Sequence, residues 1–512
     1  MSAEGSPRSL LLAMTVFLGL TLWPSYLDKT GLVYAGVGSD DFCYLSHATA
    51  LVYGQWPDYS REDICLGELP MASIGPGLLA APFVLAFSVV DRVNGAPVVQ
   101  RRTTDSVLLS WTAFGFVVSS VTWFSLACLI LWRRMKLHTN ASTATWAVVL
   151  FILCQGVPIY AVRRPVFAHA SEMFCLALLL DSVLAMQRLE HFPRALVLRL
   201  GLASGFLGLC RYNDLPHAVL WPLLAVWPMR NLPGARERLV SLAKALGVAL
   251  ALWAVFKVVP TLAVGQEKYA DAAADVLLKP VDPAFLLRRV FVVLFRTDWG
   301  LVFTAPFLLV AGVFLARLRF PQKRLVLALT ATNLLNFYMV LNFGAQAGFY
   351  GYRYFLFGFL ASMILPFALG LHAMRLTHPR ASLLGMCLLA VPPVFSMLLF
   401  EGNSTDLAMN IIQQDTRLDW GHPNLQAAAW RHLVEQPRDT LVIMFKGVPA
   451  YSTFLFMRLL GLESLLPPAL SSKFEPSGAT LAIRVGIMMA TPWLVAWAFH
   501  WRRRDSPVHA PG

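Results

Sequence analysis

The sequence predicts an all-α polytopic membrane protein of about twelve transmembrane helices, with interfacial helices in the first external loop and a small external segment before the last span. Three observations carry this. Of the 512 residues, 57% are hydrophobic and only 14% charged, a balance that no soluble domain of this length shows. Apolar runs of roughly 17–25 residues recur along the chain, each long enough to cross about 30 Å of hydrocarbon as a helix. Backbone groups in lipid must be satisfied within their own segment, so the runs are helices.

Residues 1–9 form a short polar tail with Arg8, and 10–27 is the first span. It is too long for a signal peptide and no small-x-small site follows it, so it reads as retained. A loop with Asp40, Asp41, Asp58, Glu62, Asp63 and Glu68 comes next. The apolar stretch 71–90 holds Gly75-Pro76-Gly77 and Pro82, which make it a poor straight helix. Residues 106–132 are a clear span ending in Trp132-Arg133-Arg134-Met135-Lys136.

The stretch 71–90 decides the topology. If it crosses, Arg133, Arg134 and Lys136 lie outside and every later basic loop is inverted with them. If it lies in the interface or re-enters, the basic clusters at 132–136, 188–199, 230–244, 317–324, 372–380 and 501–504 all become cytoplasmic. The second choice obeys the positive-inside rule throughout. The remaining spans are then 141–160, 170–187, 196–211, 213–228, 240–263, 300–316, 325–342, 355–371, 382–400 and 481–499. The pair 196–228 is short, as half-spans or tilted helices are. Both termini come out cytoplasmic. Residues 401–480 form an external segment, with an apolar run at 441–460 fit for a small lobe lying on the membrane. There is no internal repeat. Three units follow: 1–400 as a transmembrane domain, 401–480 as the external segment, and 481–512 as the last span and basic tail.

Lys and Arg exceed Asp and Glu by 42 − 29, a net charge of +13. In a soluble protein this excess would point to nucleic acid. Here it sits in short loops between spans and is explained by orientation, so no nucleic-acid partner is expected. Cys128, Cys154, Cys175, Cys210 and Cys387 lie in or beside apolar runs and read as inert packing residues. Cys43 and Cys65 share one polar loop, where a disulfide can form if the loop faces an oxidising compartment.

Some basic residues oppose the orientation pattern. Arg163 and Arg164 lie at the outer end of the span 141–160, Arg211 between two short spans, Arg288, Arg289 and Arg296 in an external loop, and Arg353 at the outer start of a span. For Arg288 and Arg289, snorkelling to headgroups or pairing with the acidic loop is the simpler account. For Arg211 and Arg353 an anion is, because the guanidinium fork fits phosphate bidentately. His169 and Glu172, at i and i+3, share one helix face. Two such ligands are a weak metal signal, and His169 fits substrate hydrogen bonding better. Asn403-Ser404-Thr405 is a glycosylation sequon, informative only in a host that uses one.

One membrane face thus gathers Asp40, Asp41, Glu68, several arginines and a histidine. A carboxylate base with a cationic phosphate clamp is what transfer from a phosphorylated donor needs. The base takes the proton of an incoming hydroxyl, and the arginines stabilise charge growing on the leaving phosphate.

On this pattern the chain resembles the GT-C superfamily of integral-membrane glycosyltransferases, which use polyprenyl-phosphate-linked sugars and include protein mannosyltransferases and lipid A aminoarabinose transferases. Gly38-Ser39-Asp40-Asp41-Phe42-Cys43-Tyr44-Leu45 looks like the family's acidic motif after the first span. Leu69-Pro70 through Ser73-Ile74-Gly75-Pro76 and Pro82 looks like its interfacial helix. Gly156-Val157-Pro158-Ile159-Tyr160 with His169, Leu209-Cys210-Arg211-Tyr212-Asn213, and Phe349-Tyr350-Gly351-Tyr352-Arg353 resemble segments of bacterial members. The likeness covers residues 10–370 or so, in short motifs. The chain departs from the family in having Asp-Asp followed by Phe and Cys, and in lacking a long soluble domain after its spans.

The resemblance implies inverting hexosyl or pentosyl transfer to a hydroxyl on the periplasmic face of a bacterial inner membrane. Asp40, or Asp41, would be the base. Arg211 and Arg353, with Arg163 and Arg164, would bind the donor phosphate. Glu68, His169, Tyr352 and Asn213 would bind substrate. The implied partners are a polyprenyl-phosphate-linked sugar, the bilayer, and a glycan, lipid or protein acceptor. The only cofactor it allows is a divalent cation, Mg or Mn. Two other readings stand beside this one: a transporter or flippase for a lipid-linked saccharide, and a non-catalytic envelope assembly protein.

Overall fold

The computed structural model describes residues 7–27, 40–59, 73–95, 110–163, 165–264, 283–295, 300–342, 353–399, 425–438, 462 and 478–504. These are 86% helical, with no strand among them. The helices in chain order are α1 (Arg8–Leu27), α2 (Asp40–Val52), α3 (Gly75–Val93), α4 (Trp111–Lys136), α5 (Ala141–Val148), α6 (His169–Met186), α7 (Arg194–Cys210), α8 (Leu215–Val226), α9 (Ala235–Trp253) and α10 (Val259–Val264). They continue with α11 (Pro283–Phe295), α12 (Leu301–Thr304), α13 (Pro306–Arg317), α14 (Lys323–Asn342), α15 (Arg353–Thr377), α16 (Pro379–Leu399), α17 (Leu425–Glu435) and α18 (Gly478–Arg504).

Five helical stretches among the described residues are long and apolar enough to cross a membrane by length and composition: Gly75–Val93, Trp111–Lys136, His169–Met186, Ala235–Ala263 and Leu356–Thr377. Shorter apolar helices accompany them at Arg8–Gly19, Ala141–Leu153, Pro306–Arg317, Pro379–Phe395 and Ile483–Phe499. A membrane protein is the coarse conclusion. Stretch Ala235–Ala263 turns almost all of its surface outward, exposing Leu239, Leu250 and Leu262, as a helix bathed in lipid does.

Three expected spans are less regular than their hydropathy implies. The span 141–160 is α5, a π-turn at Val149–Leu153, a bend with Gly156 at φ 81°, and a second π-turn at Ile159–Arg163. The span 300–316 breaks at Ala305, whose extended φ of −143° precedes Pro306, because proline disfavours helical backbone in the residue before it. The span 240–263 carries a π-turn at Ala254–Val258. Hydropathy reports how apolar a run is; it does not register such interruptions.

The stretch 71–90, expected to be a poor straight helix, is one continuous helix, α3. The correction has a positional cause. Gly75 and Pro76 occupy the first turn, where a missing N–H costs nothing. Pro82, the one interior proline, lies on the exposed face. The glycines serve close packing instead: a Cβ at Gly75 would strike the backbone of Leu209 and Cys210, and one at Gly77 would strike His47.

Helix α3 runs antiparallel to the N-terminal half of α4. Asp91 accepts from Trp111 N (3.0 Å), Thr112 N (2.7 Å) and Thr112 Oγ1 (2.6 Å) at the N-terminus of α4, where an anion is favoured by the helix dipole. Further in, Ser119 Oγ and Trp123 Nε1 donate to Leu79 O. The N-terminal end of α3 stops at Cys210, whose carbonyl accepts from Ser73 Oγ. It therefore stops beside the middle of α4, well short of Arg133, Arg134 and Lys136.

Basic residues from distant segments meet beyond that end of the bundle. Arg188 contacts His138, Arg375 donates to Ser142 and Thr143, and Arg238 donates to Glu190 O. Burial and the charges of Arg188 and Arg134 push His138 down to about 4. Just inside, Asp181 of α6 is held by Arg134 at 2.6 Å and Arg199 at 3.0 Å. Helices α1 and α18 pair through Trp493 Nε1, which donates to Thr15 Oγ1.

Candidate functional site

The site is built on the hairpin between α7 and α8. Helix α7 ends because Arg211 adopts extended backbone (φ −154°, ψ 124°). Tyr212–Asp214 make one 3-10 turn, and Leu215-Pro216 restart the chain as α8, with proline in the first turn where it is tolerated. Helix α7 has 17 residues, about 25 Å at 1.5 Å per residue.

Arg211 is buried, 8% exposed, against the first turn of α6. Its Nη1 is 3.0 Å from His169 Nδ1, 3.2 Å from His169 Nε2 and 3.5 Å from Glu172 Oε2. His169 Nδ1 is 2.8 Å from Glu172 Oε2. The tautomer that satisfies all three groups has Nδ1–H donating to Glu172 and Nε2 accepting from Arg211. The imidazole is clamped between rings, stacked on Phe357 (4.9 Å, 7°) and edge-on to Tyr160 (4.5 Å). The shared face expected for His169 and Glu172 is therefore present.

The network runs on through the tip. Arg211 Nε donates to Asn213 Oδ1 (3.1 Å), Asn213 Nδ2 to Asn336 Oδ1 (3.3 Å), and Asn336 Nδ2 to Asp214 Oδ1 (3.3 Å). Asp214 Oδ1 also accepts from His217 Nδ1 (3.0 Å). Glu172 and Asp214 lie within hydrogen-bonding range of each other. Both are buried, and Glu172 Oε1, Asp214 Oδ2 and His217 Nε2 have no hydrogen-bond partner among the described residues. Two ionised carboxylates that close would repel each other in a buried site.

Two further segments border the tip. Helix α2 borders it through the start of α3, where Gly77 packs against Tyr44 O and His47 while Gly75 packs against Leu209 and Cys210. Asp40 and Asp41 open α2 one turn earlier; their side chains lie outside the described residues. Phe357, which stacks on His169, is one turn into α15, and α15 begins at Arg353. The side chains of Arg163 and Arg353 also lie outside the described residues, as do Arg164, Glu68, Tyr352, Cys65, Asn403-Ser404-Thr405 and the run 441–460. Arg288 is exposed on α11. Of the sequence-predicted side chains that are described, His169, Arg211 and Asn213 come together at one place.

Five residues of this cluster escaped the sequence reading. Asp214-x-x-His217 repeats the spacing of His169-x-x-Glu172, and Asn333-x-x-Asn336 interrupts an apolar run; both were visible as polar pairs on single helix faces. Lys257 is a lone cation in an apolar span. Its Nζ donates to Tyr212 OH (2.6 Å) and lies 4.2 Å from the centre of that ring. It projects from the π-turn at Ala254–Val258, an interruption often found at functional sites.

Chemically, the tip offers one buried guanidinium, a nearby ammonium, two carboxyls and two imidazoles. No group of three or more metal-ligating side chains appears among the described residues. No protein-family model matches the chain, and no curated protein matches it either.

Proposed function

We propose that the protein is a membrane glycosyltransferase of the GT-C type. It would move a sugar from a polyprenyl-phosphate-linked donor to a hydroxyl acceptor at the outer face of a bacterial inner membrane. The observation that carries this reading is Arg211, a buried cation at the tip of the α7–α8 hairpin, in the region bordered by the helix that starts at Asp40 and the helix that starts at Arg353. A lipid phosphate entering there from the bilayer would meet Arg211 and Arg353. Asp40 or Asp41 would deprotonate the acceptor, whose oxygen attacks the anomeric carbon as the phosphate leaves.

The topology that goes with it has about twelve crossings, both termini cytoplasmic and the site periplasmic. It is supported by α3 stopping beside the middle of α4 and by the meeting of Arg188, Arg238 and Arg375 with loop residues at the opposite end. A divalent cation remains part of the proposal only as a partner of Glu68 or the aspartates.

Transport of a lipid-linked saccharide is the second reading, and one observation favours it. The polar network reaches into the bundle through Asp214, His217, Asn333 and Asn336, and three π-turns interrupt the helices around it. Transporters carry buried polar groups on broken helices.

One experiment separates the two. Reconstituted protein is assayed for sugar transfer from its polyprenyl-phosphate donor, identified as the isoprenoid-phosphate sugar that accumulates in a deletion strain. Asp40→Asn should lower transfer by about 10²–10⁴-fold with insertion intact. Full transfer by an Asp40→Asn, Asp41→Asn double variant would end the proposal.

A further inference from the structure

The carboxyl pair Glu172 and Asp214 has no role in the transfer chemistry just described. Each has one oxygen engaged: Glu172 Oε2 by His169 and Arg211, and Asp214 Oδ1 by His217 and Asn336. The other oxygen of each has no donor, although the two side chains are in hydrogen-bonding range. An ionised carboxylate only accepts; a protonated one donates. A single proton between the two would satisfy both orphan oxygens at once. It would also set the charge of the pair at −1, equal and opposite to Arg211.

Few groups could supply that balance otherwise. From α6 the pair faces His169 and Cys175; from the end of α7, Cys210 and Arg211; from α8, His217. Helix α14 offers Asn336, and α15 offers Phe357 and Gly358. Among the described residues, Arg211 is the one permanent cation in contact with the pair.

We infer that Glu172 and Asp214 form a proton-binding pair that holds one proton at rest and takes up a second when an anionic lipid phosphate binds Arg211. The incoming phosphate brings negative charge next to the pair in a low-dielectric site. Protonation of the second carboxyl offsets one unit of that charge and frees the guanidinium from Glu172 for the phosphate. The step moves one proton from solvent to a carboxylate oxygen and makes no covalent bond. Anion affinity should then rise as pH falls, by about tenfold per pH unit for one proton taken up per ligand. This inference rests on the assignment of Arg211 to the donor phosphate.

The test uses the full-length chain, washed with chelator, in nanodiscs of neutral lipid, with polyprenyl monophosphate as the probe. Infrared difference spectra at neutral pH should show the carbonyl stretch of a protonated carboxyl. Glu172→Gln and Asp214→Asn should each remove it, because the remaining carboxyl then ionises against Arg211. Titration in buffers of differing ionisation enthalpy should show one proton absorbed per phosphate bound. The pH slope should flatten in either variant. Absence of the carboxyl band, with pH-independent binding of the probe, overturns the pair and leaves the Arg211 assignment standing. Persistence of the band with no binding at any pH overturns the coupling together with that assignment. The band and the proton count in the unmodified protein decide the matter without either variant.

Discussion

The bundle buries two ionic clusters, one near each end, and they are built on opposite terms. Near the basic end, Asp181 is one carboxylate between two guanidinium groups. Arg134 Nε donates to Oδ1 (2.7 Å) and its Nη2 to the Asp181 carbonyl (2.9 Å), while Arg199 meets Oδ2 at 3.0 Å and donates to Ser182 Oγ. Neither carboxylate oxygen lacks a partner. At the hairpin tip the ratio is inverted: two carboxyls face one arginine, and each keeps an oxygen without a donor. A buried ion cluster with every group satisfied can serve packing and helix registry. One that leaves acceptors open must bind something more, be it a proton or a ligand, or bear the cost of unsatisfied groups. The same chemical parts make a brace in one place and a binding site in the other.

This contrast can be broken by substitution. The largest effect should come from Arg211→Lys. An ammonium cannot reproduce the guanidinium fork that spans His169 and Asn213, and loss of one electrostatic stabiliser of a leaving group costs about 10²–10³-fold in rate. Sugar transfer by the reconstituted variant checks this; near-normal transfer would make the tip a second brace. Asp181→Asn should act the other way round. Leaving Arg134 buried without its carboxylate should destabilise the fold by about 3–5 kcal/mol, read as a lower denaturant midpoint, while activity per folded molecule holds.

Gly358→Ala sharpens the comparison on the tip's own packing. An added Cβ would collide with Asn333 Oδ1 and press on His217. Overpacking of this kind costs about 1–3 kcal/mol, and it should raise the KM for donor before it lowers kcat. The smallest effect concerns His138 at the basic end. Its folded value of about 4 lies below the ordinary 6.5, so the unfolded chain binds the proton first. The contribution of neutral His138 is complete above pH 6.5 or so and is lost as pH falls toward 4. His138→Gln should flatten the acid side of a melting-temperature profile, and an unchanged profile would show that the imidazole is solvated.

Legibility differed between the fold and the site for a physical reason. Helical runs such as Trp111–Lys136 and His169–Met186 announce themselves through local hydropathy, because lipid forces each segment to satisfy its own backbone. His169 and Glu172 were legible as a pair for the same local reason, being one turn apart. Asp214 and His217 have that spacing too, yet their meaning depends on Glu172 some forty residues earlier and on Asn336 far later in the chain. Gly75 and Pro76 misled because proline's effect depends on whether it stands inside a helix or at its first turn.

By itself, the sequence determined that this chain is helical and membrane-embedded, and it marked His169, Arg211 and Asn213 as polar exceptions. Local chemistry suffices for that: hydropathy and helix periodicity act within a few turns. Only the tertiary structure decided that α3 stops beside the middle of α4, that Arg211 is enclosed between α6 and the hairpin, and that two acids from different helices meet without a donor between them. Those outcomes depend on which helices pack together, and packing sums contacts between residues that the chain holds far apart.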